Sequence, residues 1–277
     1  MSLEKTEAVV LKAFNWSESS RTVIFFSHRF GKLALVDKGG RSFKSKRGRI
    51  VGFAVLEITF YDSQKESSGY IRDVDPLETF SFEKEGTMGR LAYGSAACEL
   101  LHLLLPEEET QIDLYDYFVG YLKCVDVADK RSLPALFLAF FLRTLSHLGY
   151  HPSLTHCAAC GRADQAGAGQ AGADQVGSLA ASQPADYVSF CAERGGVVCS
   201  SCQTPADQYI RLSSACFEQL VTLQSASLAE AAAMPITYAD TELLLEALTR
   251  FVSCQTGVSG ELKSLEFLRK LKKTKLS

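Results

Sequence analysis

Apolar and polar positions change rhythm once along the chain, near Phe82. Before that point the pattern is that of strands. Glu7 to Phe14 and Arg21 to Ser27 are rich in β-branched and aromatic residues. Gly31 to Val36 follows a turn at Phe30-Gly31. Phe53 to Tyr61 alternates, with Val55, Glu57 and Thr59 on one face and Ala54, Leu56, Ile58 and Phe60 on the other. Gly69 to Val74 is a fifth short run. Five short strands separated by turn residues predict a small barrel or sandwich.

After Phe82 the period becomes helical. Leu91, Ala92, Ser95, Ala96, Glu99, Leu100 and Leu103 mark a helix over 87–105, ended by Pro106. Further helices are expected over 113–127 and 133–148, the latter stopped by Gly149, and then over 213–226, 240–252 and 263–271. The fold class is therefore α+β: an N-terminal small β-barrel, then an α-helical domain interrupted by a cysteine-bearing insertion. We divide the chain into a barrel domain at 1–80, a helical domain at 81–155 and 204–277, and the insertion at 156–203. Within the insertion, residues 163–185 are Ala-, Gly- and Gln-rich and have few large apolar side chains. They are expected to form a disordered loop, and the zinc unit is expected to project from the helical domain.

The insertion carries the sharpest chemistry. Cys157-Ala-Ala-Cys160-Gly161 is paired with Cys199-Ser-Ser-Cys202. Two CxxC turns can present four thiolates in a tetrahedron, the coordination of a structural zinc ion with no position left open for catalysis. Gly161 suits the positive φ that such a turn needs, and Gly195-Gly196 predicts a hairpin into the second pair. The spacer of 38 residues exceeds the usual ~15–20, but loop closure grows only logarithmically with length. His151, His156 and Cys191 stand nearby as alternative ligands, with Cys191 read as a spectator. Of the dispersed cysteines, Cys98 and Cys124 are expected to be buried free thiols.

Charge adds two local features to a chain that carries a net charge of -3. Lys38, Arg41, Lys44, Lys46, Arg47 and Arg49 fall in one stretch without an acidic residue, between the third and fourth strands. Such a run can neutralise phosphates, and Phe43 within it can stack on a base. At the C-terminus, Leu262, Leu265, Leu268 and Leu271 form a stripe surrounded by Lys and Arg. This is either a final amphipathic helix with a basic tail or a partner-binding surface that uses Leu265, Leu268, Arg269 and Lys272. There is no Walker A, GxGxxG, HExxH or GxSxG motif, so no enzyme is expected. No apolar run reaches the roughly 18 residues of a membrane span. The N-terminus lacks a signal-peptide pattern, which predicts a cytoplasmic protein.

Three blocks resemble the RecO family of bacterial recombination mediators. The opening runs E7-A-V-V-L, E18-S-S-R-T-V-I-F-F-S and G31-K-L-A-L-V-D-K-G-G-R resemble that family's N-terminus. F140-F-L-R-T-L-S-H-L-G-Y-H-P-S-L-T-H-C-A-A-C-G161 resembles its helix, Leu-Gly-Tyr-x-Pro and first cysteine pair. F190-C-A-E-R-G-G-V-V-C-S-S-C202 resembles the second pair, and L262-K-S-L-E-F-L the last helix. The resemblance implies an OB-fold, a helical domain and a zinc unit. It implies binding to single- and double-stranded DNA, strand annealing, and action with RecR to load RecA on DNA coated by single-strand-binding protein (SSB), whose C-terminal tail would be a further partner. It also implies a place near the nucleoid. Residues 163–185 are not part of the family's pattern. A scaffold stabilised by zinc, with no direct DNA role, is the alternative.

Overall fold

The computed structural model describes residues 2–15, 17–18, 20–40, 50–62, 69–82, 87–162 and 187–274, with side chains described to residue 270. Five strands precede the first helix: β1 (Ser2–Asn15), β2 (Arg21–Ser27), β3 (Gly31–Asp37), β4 (Ala54–Asp62) and β5 (Gly69–Thr79). They close in the order β1-β2-β3-β5-β4, the five-stranded Greek-key arrangement of an OB-type barrel. β1 is long enough to pair with β4 through its first half and with β2 through its second. The closing contact between β3 and β5 is parallel and short, Leu35 to Gly69 and Val36 to Tyr70.

Alternation along these strands serves two cores. Ala8, Val23, Phe25, Leu35, Leu56, Ile58, Phe60, Ile71 and Val74 fill the barrel. Val9, Leu11, Phe26 and Val55 point the other way, into the core built by the helices. This double burial explains the unbroken apolar pairs Val9-Val10 and Phe25-Phe26, where a half-exposed strand would alternate cleanly. A bulge between Val10 and Lys12 re-aims Leu11 toward the helices.

The helices are α1 (Thr87–Leu104), α2 (Ile112–Val127), α3 (Leu133–His147), α4 (Ser214–Ser225), α5 (Leu228–Ala233), α6 (Tyr238–Thr256) and α7 (Lys263–Thr274). α3 is apolar on every side because α1, α2, α4, α5 and α6 all pack on it. Gly149 takes φ +82° just past its end, and Gly257 takes φ +70° past α6, each a left-handed stop. α7 is held to α1 by Glu99, whose carboxylate accepts from the Ser264 Oγ at 2.8 Å and the Ser264 N–H at 3.3 Å.

Three strands lie outside the barrel: β6 (Tyr187–Cys191), β7 (Gly196–Val197) and β8 (Ile210–Ser213), in the order β7-β6-β8. The sequence reading assigned only a hairpin here. Val188, Phe190, Val197, Ile210 and Leu212 from this sheet are buried in the same core as the helices. The cysteine-bearing unit is thus rooted in the helical core, where a projection was expected. The stretch 163–185 lies outside the described residues.

Candidate metal centre and nucleic-acid surface

The two CxxC turns meet. The Sγ atoms of Cys157, Cys160, Cys199 and Cys202 all lie within 4.8 Å of one another. Cys160 Sγ and Cys199 Sγ are 3.9 Å apart. Sulfurs at the corners of a tetrahedron around zinc, each about 2.3 Å from the ion, stand about 3.8 Å apart. Local backbone chemistry builds each turn. Gly161 N–H donates to the Cys157 carbonyl at 2.8 Å with Gly161 at φ +71°. Ser200–Cys202 forms one 3-10 turn, in which Cys202 N–H donates to the Cys199 carbonyl at 2.9 Å. The pairs are tied together by Ala158 N–H donating to the Val197 carbonyl at 2.8 Å.

Electrostatics sets Cys157 apart from Cys199 and Cys202. Burial raises the pKa of Cys157, but N–H donation from Cys199 (3.4 Å to the sulfur), Cys160 and Ala159 outweighs it and brings the thiol down to about 6. Contact with the Cys199 and Cys160 thiols pushes Cys202 up to about 12, and burial with thiol contacts raises Cys199. One thiolate is stabilised by the fold. Four together require a cation between them. The four-sulfur donor set fits zinc, whose structural sites use such ligands. Cys191 is fully buried beside Cys157 and Val198. Its thiol donates to Glu193 Oε2 at 3.3 Å, so it stands outside the four-sulfur group. His156 Nδ1 is 2.8 Å from Thr155 Oγ1, and neither it nor His151 joins the group.

Of the residues expected to meet nucleic acid, Lys38 is described. It is exposed just after β3, with Nζ 4.0 Å from the ring centroid of Tyr70. Arg41, Phe43, Lys44, Lys46, Arg47 and Arg49 lie outside the described residues. The last residue of β3 is held by a partly buried ion pair across the barrel rim, Arg21 Nε to Asp37 Oδ2 at 3.0 Å. A Cβ at Gly40 would meet the Asp37 carboxylate at 1.9 Å, so any larger residue there would displace that carboxylate from Arg21.

The leucines of the last helix divide. Leu262 and Leu265 are buried and Leu268 is half-buried against the helical core. Arg269 pairs with Glu242 of α6. Of Leu271 and Lys272 only the helical backbone is described. Leu265 therefore serves packing between α7 and α1. The accessible side of α7 carries Phe267, 54% exposed, and closes a shallow apolar trough with Met88 and Leu91 of α1. Among the described residues no helix is long and apolar enough to cross a membrane.

Comparison with known proteins bears on both regions. The family model described as "Recombination protein O N terminal" matches residues 1–80, and "Recombination protein O C terminal" matches 86–266. A protein of Anaeromyxobacter dehalogenans named "DNA repair protein RecO" is 29% identical over 259 residues, 91% of each chain. The protein of that name from Symbiobacterium thermophilum is 26% identical over 273 residues, 98% of this chain and 99% of its own. One from Chlorobium limicola reaches 34% over 155 residues, 55% of this chain and 58% of its own.

Proposed function

The chain belongs to the RecO family, and on that premise we propose that it is a non-enzymatic recombination mediator in DNA repair. In this reading it binds single- and double-stranded DNA, anneals complementary strands, and acts with RecR to help RecA load on SSB-coated DNA near the nucleoid. The observation that carries it is a closed OB-type barrel whose strand β3 leads, through Lys38, into a segment with six Lys or Arg and no acid. Each cation that meets a phosphate releases counterions, which gives affinity without sequence preference. Annealing follows when two strands are held with their charges screened. We assign DNA contact to 1–80, a stabilising frame to the helices at 81–155 and 204–277, and one structural zinc ion to Cys157, Cys160, Cys199 and Cys202 in 156–203. When bound, zinc supplies the charge that lets the four thiolates coexist.

The test is fluorescence anisotropy with a labelled single strand across a salt series. Log affinity is expected to fall linearly with log salt. Replacing Arg41, Lys44 and Lys46 with alanine is expected to weaken binding to all sequences alike and to shallow that slope by roughly two to three. A flat dependence in the unaltered protein would sink the reading. The alternative, a zinc-stabilised scaffold for protein partners, is favoured by one feature only, the trough at Met88, Leu91 and Phe267. On that reading, Phe267→Ala abolishes partner capture while removal of the loop charges does not.

A further inference from the structure

The strand registers assemble one apolar row on the outside of the barrel. Leu3 of β1 pairs with Tyr61 of β4, Tyr61 with Tyr70 of β5, and Tyr70 with Val36 of β3. Their neighbours Phe60, Ile71 and Leu35 fill the barrel interior, so pleating turns the row outward. Leu3 is 48% exposed and Tyr61 39% exposed, while Tyr70 and Val36 are half-buried. The helices cover a different side of the barrel, the one that carries Val9, Leu11, Phe26 and Val55.

Cations flank the two rings. Lys38 Nζ lies over one face of the Tyr70 ring, 4.0 Å from its centroid, and must swing off that face for a base to stack there; Arg72 is exposed where β5 bulges between the partners of Phe60 and Thr59. Further along the same strands the sign reverses. Glu57 pairs with Lys5 at 2.6 Å, and Asp73 and Asp75 are exposed. Exposed Asp73 and Asp75 repel phosphate and bound the site along the strands, and Asp62, half-buried next to Tyr61, bounds it on the other side. The aromatic end of the row is where β3 hands over to the basic segment.

We infer that Tyr61 and Tyr70 are a stacking platform for unpaired bases of single-stranded DNA, with Lys38 and Arg72 meeting the flanking phosphates. This rests on the DNA-binding reading and names the residues that separate single strands from duplex. Every base has a π-face, so stacking is tolerant of sequence. A duplex keeps its base faces stacked on each other and offers the rings nothing. The platform therefore adds affinity for single strands alone, whereas the basic segment serves both forms.

The experiment uses the full chain, an oligo-dT strand and a duplex of equal length. Tyr61→Leu and Tyr70→Leu keep apolar volume but remove the ring. Each is expected to lower single-strand affinity about tenfold, within the range for one base–aromatic stack. Duplex affinity and the salt slope of single-strand binding should stay unchanged. Tyr61→Phe and Tyr70→Phe keep the π-face and should bind like the unaltered protein. Leucine variants that bind single strands normally, or that lose both forms equally, overturn the platform while leaving the DNA reading in place. No binding of either form by the unaltered protein overturns both. A second measurement needs no variant: photocrosslinking to a strand carrying 5-iodouracil should label peptides that contain Tyr61 or Tyr70. Crosslinks confined to other peptides overturn the inference.

Discussion

A methyl group added at Gly196 would stand 2.2 Å from the Ser153 carbonyl oxygen and 2.7 Å from its nitrogen. The two backbones touch because Ser153 N–H donates to the Gly195 carbonyl and Val197 N–H donates back to Ser153, both at 2.9 Å. This small ladder presses β7 against the segment that enters the first CxxC turn. Gly196→Ala must push it open, and neither neighbour is a flexible side-chain end. The expected cost is about 1–3 kcal/mol, as for other overpacked sites. A third hydrogen bond between the two segments, Ala158 N–H to the Val197 carbonyl, lies further along, so bound metal should also decrease. Thermal melting together with metal content by mass spectrometry checks this. A variant with unchanged melting and full metal content would show that the ladder is dispensable. Gly161 was legible from the sequence because a CxxC turn needs a positive φ there. The close approach at Gly196 was not, because Ser153 lies 43 positions away and no local pattern announces it.

Elements with a long single period were legible, and short ones were not. The five barrel strands were each read within a few residues, apart from the extension of β1 back to Ser2 and of β5 to Thr79. Both extensions are mostly exposed, with Leu3 and Leu77 facing solvent, so the alternation that marks a buried strand face fades there. β6 and β8 escaped notice because runs of five and four residues give too few periods to separate strand from coil. α5 was missed for a related reason. Its Ser227–Glu230 capping box is present, but mostly alanines follow, without an apolar stripe. The tyrosine row needed register, since Tyr61 and Tyr70 become neighbours only once β4 and β5 pair. α7 was read correctly as amphipathic, yet what holds its start was invisible: Glu99 of α1, 165 positions from Ser264. Glu99→Ala leaves the first N–H groups of α7 without this acceptor. The expected loss is about 1 kcal/mol, the usual value of an N-terminal cap. Hydrogen exchange should rise in 263–268 and stay unchanged in α3. Unchanged protection in α7 would show that Leu262 and Leu265 hold the helix without the cap.

At the scale of the molecule the two cores decide how damage spreads. The helical core runs without interruption from the outer face of the barrel, through α1 to α7, to β6 and β8. The barrel core is separate. The four-cysteine group belongs, through Cys157, Cys199 and Cys202, to a third, small cluster with Cys191 and Val198, next to the β6–β7 part of the first core and apart from the second. Without a cation, Cys157 at about 6 is ionised near pH 7, while Cys202 at about 12 stays protonated. Metal binding therefore releases protons, and acid competes with the metal. Chelation, or lowering the pH below about 5, is expected to remove the ion and destabilise the sheet and helices by several kcal/mol. Far-UV circular dichroism should show a lower melting temperature for helical signal. Single-strand binding, which we propose to lie at the barrel rim, should persist in the same sample, weakened at most by loss of support on Val9, Leu11, Phe26 and Val55. The opposite result, intact helical melting with DNA binding abolished, would move the DNA surface onto the cysteine unit and take from zinc the structural role assigned to it.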